Sequence, residues 1–365
     1  MDIRILFCEG PQVEKHRMVS QIISDNMDQL VEELISCQWE IDTEIADRYS
    51  EPLIEKCKED IAYHLEFLAT AVRVQSTAIF NSYLRWTKVL FSNLGVPEKE
   101  FLDNLECIKK ILPAYLSDEI QNIPIEYIDI GIKELALASS DLPTLMGEDI
   151  PMAAIATQYL DALLKGNRRA ASALIMDTVN EGREIKEIYL NIFERTQYEI
   201  GRLWQTNQIN VAQEHYCTAA TQLIMAQLYP YLFSSKKKNL NMVATCISGE
   251  LHEIGIRMVA DLFEIDGWNT FYLGASTPRK DIIQTIIDRD VQLVAISATL
   301  PTNIPEVQEL IEEIRAQDNL THVKIIVGGR PFGMDPNLWK TVGADGTARN
   351  AEDAVKVGNM LVQGD

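Results

Sequence analysis

Glu250 and His252 stand two residues apart after an apolar run, and Gly255 follows three residues later. An imidazole is a common metal ligand, and it ligates best when its second ring nitrogen is held by an acceptor. Glu250 stands where that acceptor is needed. Two more apolar runs end in Ser297-Ala298-Thr299-Leu300 and Gly328-Gly329-Arg330. They offer hydroxyl groups, a cation and a stretch without side chains. Trp204, followed after nine residues by Glu214-His215, adds an aromatic face, a carboxylate and a second imidazole, with Val211 just ahead of that pair. A third group, Asp60, Tyr63, His64, Arg73, Tyr83, Arg85, Trp86 and Lys88, mixes rings with cations. The six cysteines, at 8, 37, 57, 107, 217 and 246, form no CxxC pair, which fits reduced thiols in a cytoplasm better than a zinc or disulfide framework.

The elements that carry these residues follow from periodicity. After Lys236-Lys237-Lys238, read as a solvated linker, apolar strands are predicted at Asn241–Ser248, Asn269–Leu273, Leu293–Ser297 and Lys324–Val327. Helices are predicted between them, over Glu253–Ile265, Arg279–Arg289, Ile304–Ala316 and Asn337–Thr341, with a last one from Ala351. This alternation predicts a doubly wound parallel α/β domain over residues 239–365. Ligands bind such sheets in the crevice at the carboxyl ends of the strands. Residues 150–233 read as a four-helix bundle: Pro151–Leu164, Gly166–Glu181, Glu184–Asn207 and Val211–Leu232. Residues 1–130 read as all-α, with helices over Lys56–Val74 and Ala78–Leu94, Pro97 in the first turn of the next and Pro113 ending it. Asn122–Pro151, richer in Pro, Gly and Ser, reads as a transition between domains.

Glu250-Leu251-His252-Glu253-Ile254-Gly255 resembles the cobalamin signature of the methionine synthase type, usually Asp-x-His-x-x-Gly. Ser297–Leu300, Gly328-Gly329 and Gly343-Ala344-Asp345-Gly346 stand in register with that family's pattern, and the resemblance covers roughly residues 150–365. It implies a flavodoxin-like, Rossmann-type fold with His252 as the lower cobalt ligand. It also implies a slot for the nucleotide tail beside Gly255, Gly328 and Gly329, lined by Ser297, Thr299, Leu300 and Arg330. Glu250 replaces the usual Asp, and its extra methylene predicts a softer hydrogen bond to the imidazole.

Trp204-x9-Glu214-His215 resembles the signature of light-sensing adenosylcobalamin proteins. The resemblance implies that Trp204 packs on the adenosyl group, with Val211, Glu214 and His215 lining the same pocket. Light would then break the Co–C bond and move the bundle. Some members carry a His directly after the Trp, where this chain has Gln205. A bis-histidine light state would therefore need His215.

The amino-terminal region resembles non-haem globin-like sensor domains. A globin-like domain ahead of this cobalamin module is similar to the photocobilins, which pair B12 with biliverdin. That resemblance implies a bilin cleft formed by Asp60, Tyr63, His64, Arg73, Tyr83, Arg85, Trp86 and Lys88. The alternatives are haem or a protein-interaction domain with a satisfied His64. His16 and His322 read as solvent-facing.

Charge and composition narrow the function. The formal net charge is -21, and residues 1–130 hold 24 acidic against 12 basic residues, the wrong sign for neutralising phosphates, so nucleic acid is excluded as a direct partner. No apolar run approaches a membrane span, and the start lacks the pattern of a secretory signal. No nucleophile–base constellation or phosphate loop appears, so the chain is expected not to be an enzyme by itself. The leading expectation is a cytoplasmic light sensor binding adenosylcobalamin and biliverdin, working as a homo-oligomer with an unknown downstream signalling protein. The alternatives are a corrinoid methyl carrier of a methyltransferase system and a dark cobalamin-binding stress regulator.

Overall fold

The computed structural model describes residues 11–43, 49–147, 151–232 and 236–364. Cys8, with the chain start, and the segment edges at 148–150 and 233–235 lie outside the described residues. The chain divides into two compact units, Met1–Ser140 and Asp141–Asp365.

The first unit is helical: α1 Pro11–Asp25, α2 Met27–Ile41, α3 Glu51–Arg73, α4 Thr77–Leu94, α5 Glu98–Ile111 and α6 Asn122–Leu137. Gly95, left-handed at φ 79, closes α4, and Pro97 caps α5 rather than entering its first turn. The stretch from Asn122, expected to be a transition, is a helix instead. Its Pro124 falls in the first turn, where no N–H is needed, and Tyr127, Ile128 and Leu135 supply a buried stripe. Gly131 within it has a packing role, because a Cβ there would lie 2.5 Å from Leu84 Cδ1 of α4. His16 is buried, not solvent-facing; its Nδ1 lies 2.8 Å from the Gln12 carbonyl and its ring meets Tyr127 edge-on.

The second unit joins a helical layer to a sheet. The layer comprises α7 Ala153–Leu164, α8 Arg168–Asn180, α9 Ile185–Ile188, α10 Glu194–Gln205 and α11 Val211–Leu228. A π-helical turn, Tyr189–Phe193, links α9 to α10 where one uninterrupted α-helix was expected. It carries Tyr189, whose hydroxyl donates to Asp261 at 2.7 Å. The sheet contains β1 Asn241–Ile247, β2 Asn269–Thr277, β3 Leu293–Ser297, β4 Lys324–Gly328 and β5 Gly346–Ala348. All pairings are parallel and the order is β2-β1-β3-β4-β5. That is the flavodoxin-like order, whose switch point lies between β1 and β3.

Between the strands run α12 Ile254–Ile265, α13 Arg279–Asp288, α14 Ile304–Arg315, the short α15 Arg330–Met334 and α16 Leu338–Thr341, with α17 Ala351–Gln363 at the end. The layer packs on two helices that flank the sheet. Ile188, Ile192, Met225 and Leu228 cluster with Met258 and Leu262 of α12 and Ala351 of α17.

Departures near the crevice have physical causes. The turn Gly343–Gly346 feeds β5, because the Asp345 carboxylate accepts from Ile325 N (2.7 Å) and Arg315 (2.6 Å) and draws the chain onto the sheet edge. β2 continues past Leu273 through an irregular register at Gly274 (φ 81) and Ser276 (φ 47). Gly329 was expected to clear space for a ligand. It instead packs on the backbone: at φ 106, a Cβ would lie 2.0 Å from the Ala298 carbonyl oxygen. Gly329→Ala should therefore lower the urea-unfolding free energy of this unit by about 2–4 kcal/mol, from strain plus a backbone clash. An unchanged unfolding midpoint would show that the β3 and β4 ends are not locked together there.

Candidate cofactor site

The loop from β1 to α12 delivers His252 to the switch-point crevice. Glu250 organises this loop. It is fully buried, and each of its oxygens is engaged. Oε1 accepts from His252 Nδ1 (2.6 Å) and the His252 backbone N–H (3.0 Å). Oε2 accepts from the backbone N–H groups of Thr299 (2.7 Å) and Leu300 (3.1 Å) and from Asn303 Nδ2 (3.1 Å). The longer side chain does not soften the imidazole contact; its reach ties the β1 loop to the end of β3. These donors outweigh burial and hold the Glu250 carboxyl down at about 2. The hydrogen bond to Glu250, the charge of that carboxylate and that of Glu214 raise His252 above its ordinary value, against the effect of burial.

With Nδ1 committed, His252 has Nε2 left to ligate, on a side chain that is 56% exposed. The carbonyl side of the loop is fixed by β2. Ser276 N–H donates to Glu250 O (2.9 Å), and Ser276 Oγ accepts from Gly249 N–H (3.1 Å). A Cβ at Gly255 would meet no protein atom within 4 Å, so the start of α12 leaves open room beside the histidine. A free, carboxylate-backed imidazole nitrogen next to that room fits a corrinoid.

The remaining predicted residues divide. Ser297 is buried at the end of β3, Thr299 is half-buried, and Leu251, His252 and Leu300 are exposed at the crevice. Gly328 sits at the carboxyl end of β4 between Ser297 and Ala348, and an added Cβ there would lie 3.4 Å from the Ala348 carbonyl. Ile254 packs into the shared core, and Glu253 turns toward the helical layer and β2. The charge of Glu214, in the first turn of α11, is felt at His252. Glu214 also pairs with His215 and accepts from Thr218 (2.9 Å). Val211 and His215 are exposed, and Trp204 is half-buried against the layer's core.

Arg330 and Tyr198 of α10 feel each other's charge, and burial lowers the arginine and raises the phenol, although both keep accessible surface. Tyr198, Ser276 and Asn303 were not anticipated. Ser276 has a positive φ that no local sequence signal marks, and Tyr198 belongs to no motif.

The eight residues assigned to a bilin do not share one face of the first unit. His64 is buried with its Nδ1 bonded to the buried Tyr83 hydroxyl, and burial drives the imidazole down to about 3. Tyr63, next in sequence, is exposed. Arg85 pairs with Glu134 (3.7 Å), while Lys88 reaches Glu98 (2.9 Å) and the Leu135 carbonyl (2.9 Å). Asp60, Arg73 and Trp86 are half-buried, and burial raises Asp60 to about 6.

Comparison with known proteins shows what class of cofactor the chain binds. A family model described as a B12 binding domain matches residues 240–356, and a second with the same description matches 155–229. The chain is a B12-binding protein. Residues 12–135 match a family described as phycobilisome protein. Among curated relatives, a corrinoid protein of Desulfitobacterium hafniense is 22% identical over 206 residues, 55% of this chain and 94% of that protein. Dimethylamine corrinoid protein 3 of Methanosarcina acetivorans is 27% identical over 166 residues, 45% of this chain and 74% of its own. The solved monomethylamine corrinoid protein of Methanosarcina barkeri aligns with a TM-score of 0.53 at 22% identity, covering 59% of this chain and 100% of that one, and it shares the fold. No helix among the described residues is long and apolar enough to cross a membrane.

The pH behaviour of the ligand-free B12-binding chain follows from the Glu250–His252 pair. Glu250, depressed from 4.5 to about 2, adds stability that is complete above pH 4.5 and lost as pH falls toward 2. His252, shifted up, adds stability that is present below its unfolded value and lost as pH rises through its folded one. Glu250→Gln should cost about 2–3 kcal/mol at pH 6 and flatten the fall in stability between pH 4.5 and 2. Urea titrations across that range check it, and parallel wild-type and variant curves would refute the pairing.

Proposed function

We propose that the chain holds an alkylated corrinoid with His252 as lower cobalt ligand and works as a corrinoid carrier, receiving and giving up a methyl group with methyltransferase partners. The observation that carries this is the exposed imidazole of His252, with its Nδ1 held by Glu250 and its Nε2 left to ligate. The relatives reported above support it, being corrinoid proteins, one of them a dimethylamine corrinoid protein. The bound group supplies a cobalt–carbon bond. The protein's part is to orient the imidazole, keep its Nδ1 N–H donating to Glu250, and shelter the bound group beneath α10 and α11. On this reading catalysis resides in the partners, not in this chain alone.

A second reading, a light sensor with adenosylcobalamin, is favoured by two specific features. Trp204, Glu214 and His215 give the covering layer a large ring, a carboxylate and an imidazole suited to a bulky upper group. The phycobilisome-type match over residues 12–135 also attaches a module outside the stretches matched by the two B12 models. On this reading that unit binds biliverdin, and the output is a change in homo-oligomeric state passed to a signalling partner.

One set of samples separates the readings. His252→Ala should lose the histidine-ligated spectrum and at least tenfold in affinity under either, by analogy with losses at other metal sites; an unchanged spectrum would remove the ligand assignment. Trp204→Ala should release adenosylcobalamin faster than methylcobalamin if the sensor reading holds, and affect both equally if the carrier reading holds. Illumination that shifts the size-exclusion profile of the adenosyl form, or saturable biliverdin binding by the full chain, favours the sensor. Methyl transfer to an acceptor by a methyltransferase, without either effect, favours the carrier.

A further inference from the structure

Glu253 follows the ligand histidine, yet its carboxylate faces away from the crevice and joins three elements. One oxygen, Oε1, accepts from Gln222 Nε2 of α11 at 2.7 Å. The other, Oε2, accepts from the Tyr272 hydroxyl at 2.7 Å and from the Ala275 backbone N–H at 3.0 Å, both on β2. The contact is reinforced from the next turn of α12, where Arg257 Nη1 donates to the Gln222 carbonyl at 3.3 Å.

The sequence is shaped around this carboxylate. Gly274 stands at φ 81 where the β2 register is irregular, and a Cβ there would come within 3.1 Å of Glu253 Oε2. The same irregular segment presents Ser276 to the Glu250 side of the loop. The histidine loop is thus gripped by two carboxylates. Glu250 fixes the imidazole from within, and Glu253 fixes the loop to the layer that covers it. Gln222 lies two turns along α11 from Glu214, roughly 12 Å of helix, so a shift of α11 at one point is felt at the other.

We propose that the Gln222–Glu253 hydrogen bond is a positioning latch that sets how tightly the helical layer closes over the cobalt face opposite His252, and so how readily small ligands reach the metal. The inference rests on corrin binding at His252 but not on whether the natural upper group is methyl or adenosyl. An amide donating to a carboxylate has a built-in reversal. Exchanging the two groups, with Glu253→Gln and Gln222→Glu together, leaves an amide N–H to donate to the new carboxylate on α11. It also leaves an amide oxygen to accept from Tyr272 and Ala275.

The test uses the full chain loaded with hydroxocobalamin. Imidazole or cyanide is added, and the rate of ligand exchange at cobalt is read from the absorption shift. Gln222→Ala, which removes the donor, and Gln222→Glu, which sets two carboxylates against each other, should each speed exchange by about five- to tenfold, the population change expected for losing one charge-assisted hydrogen bond. Imidazole should respond more than cyanide, since the larger ligand needs the wider opening. The reversed double variant should return to within about twofold of wild type, a rescue that general loosening of the fold would not give. Gln222→Ala, at the half-buried end of the bond, keeps the test available if the other variants do not fold. Single variants that load cobalamin normally and exchange ligand at the wild-type rate, or a double variant no slower than the singles, overturn the latch alone. A wild-type chain that takes up no hydroxocobalamin overturns the binding reading and the latch with it.

Discussion

The second unit depends on a buried carboxylate that has no unused lone pair. Glu250 sits where an unpaired charge would cost several kcal/mol, and it is stable there because five donors converge on it. That saturation has a structural price and a chemical return. It obliges the ends of β1 and β3 to lie at one separation, because the same group must reach His252 on one side and Thr299, Leu300 and Asn303 on the other. In return the imidazole is held in one orientation and one tautomer, with Nδ1 as donor when neutral, so that its ligating nitrogen needs no reorganisation on binding a metal. The close backbone contact at Gly329 and the positive φ of Ser276 belong to the same constraint: both bring neighbouring chain against a loop whose position is already fixed.

The helical layer is bound to this loop by two kinds of contact. Apolar packing of α12 and α17 against the layer supplies most of the cohesion, because it removes Ile254, Met258, Leu262 and Val355 from water over a continuous patch. Apolar packing is not directional, however, and it alone would leave the angle of the cover over the crevice loosely specified. The polar contacts do the specifying: Gln222 with Glu253, Tyr189 with Asp261, and Lys186 with Glu352 at 3.4 Å. The π turn belongs to this set, since it carries the tyrosine that donates to Asp261. A layer held by area and aimed by a few hydrogen bonds can tilt without unfolding, and either proposed function requires that of it.

Much of this was legible because the motif residues are local. Glu250, His252 and Gly255 lie within one loop, and a strand before with a helix after are enough to place that loop at a switch point. The strands themselves showed as apolar runs, and β3 begins and ends where expected. What stayed hidden involves partners far apart in sequence. Asp345 pulling β5 onto the sheet, Gly329 against Ala298, and Glu253 reaching Gln222 and Tyr272 leave no periodic trace. The helix from Asn122 was misjudged for another reason. Pro and Gly were weighed as breakers, whereas Pro124 occupies the turn that tolerates it and Gly131 is required by the approach of Leu84.

The first unit shows where residue types alone mislead. Asp60 and His64 are four apart on one helix, and rings and cations follow on the next, which is the composition a bilin cleft would need. The fold spends several of those groups on each other. His64 and Tyr83 satisfy one another in the core, since a buried imidazole and phenol without partners would each be destabilising. Arg85 and Lys88 answer to carboxylates and a helix-end carbonyl. A flat ligand entering beside α3 would have to displace contacts already made, so its binding energy would be reduced by the cost of breaking the His64–Tyr83 bond. Binding would be strongest for a pigment whose own polar groups replace that bond, one N–H for the imidazole and one acceptor for the phenol.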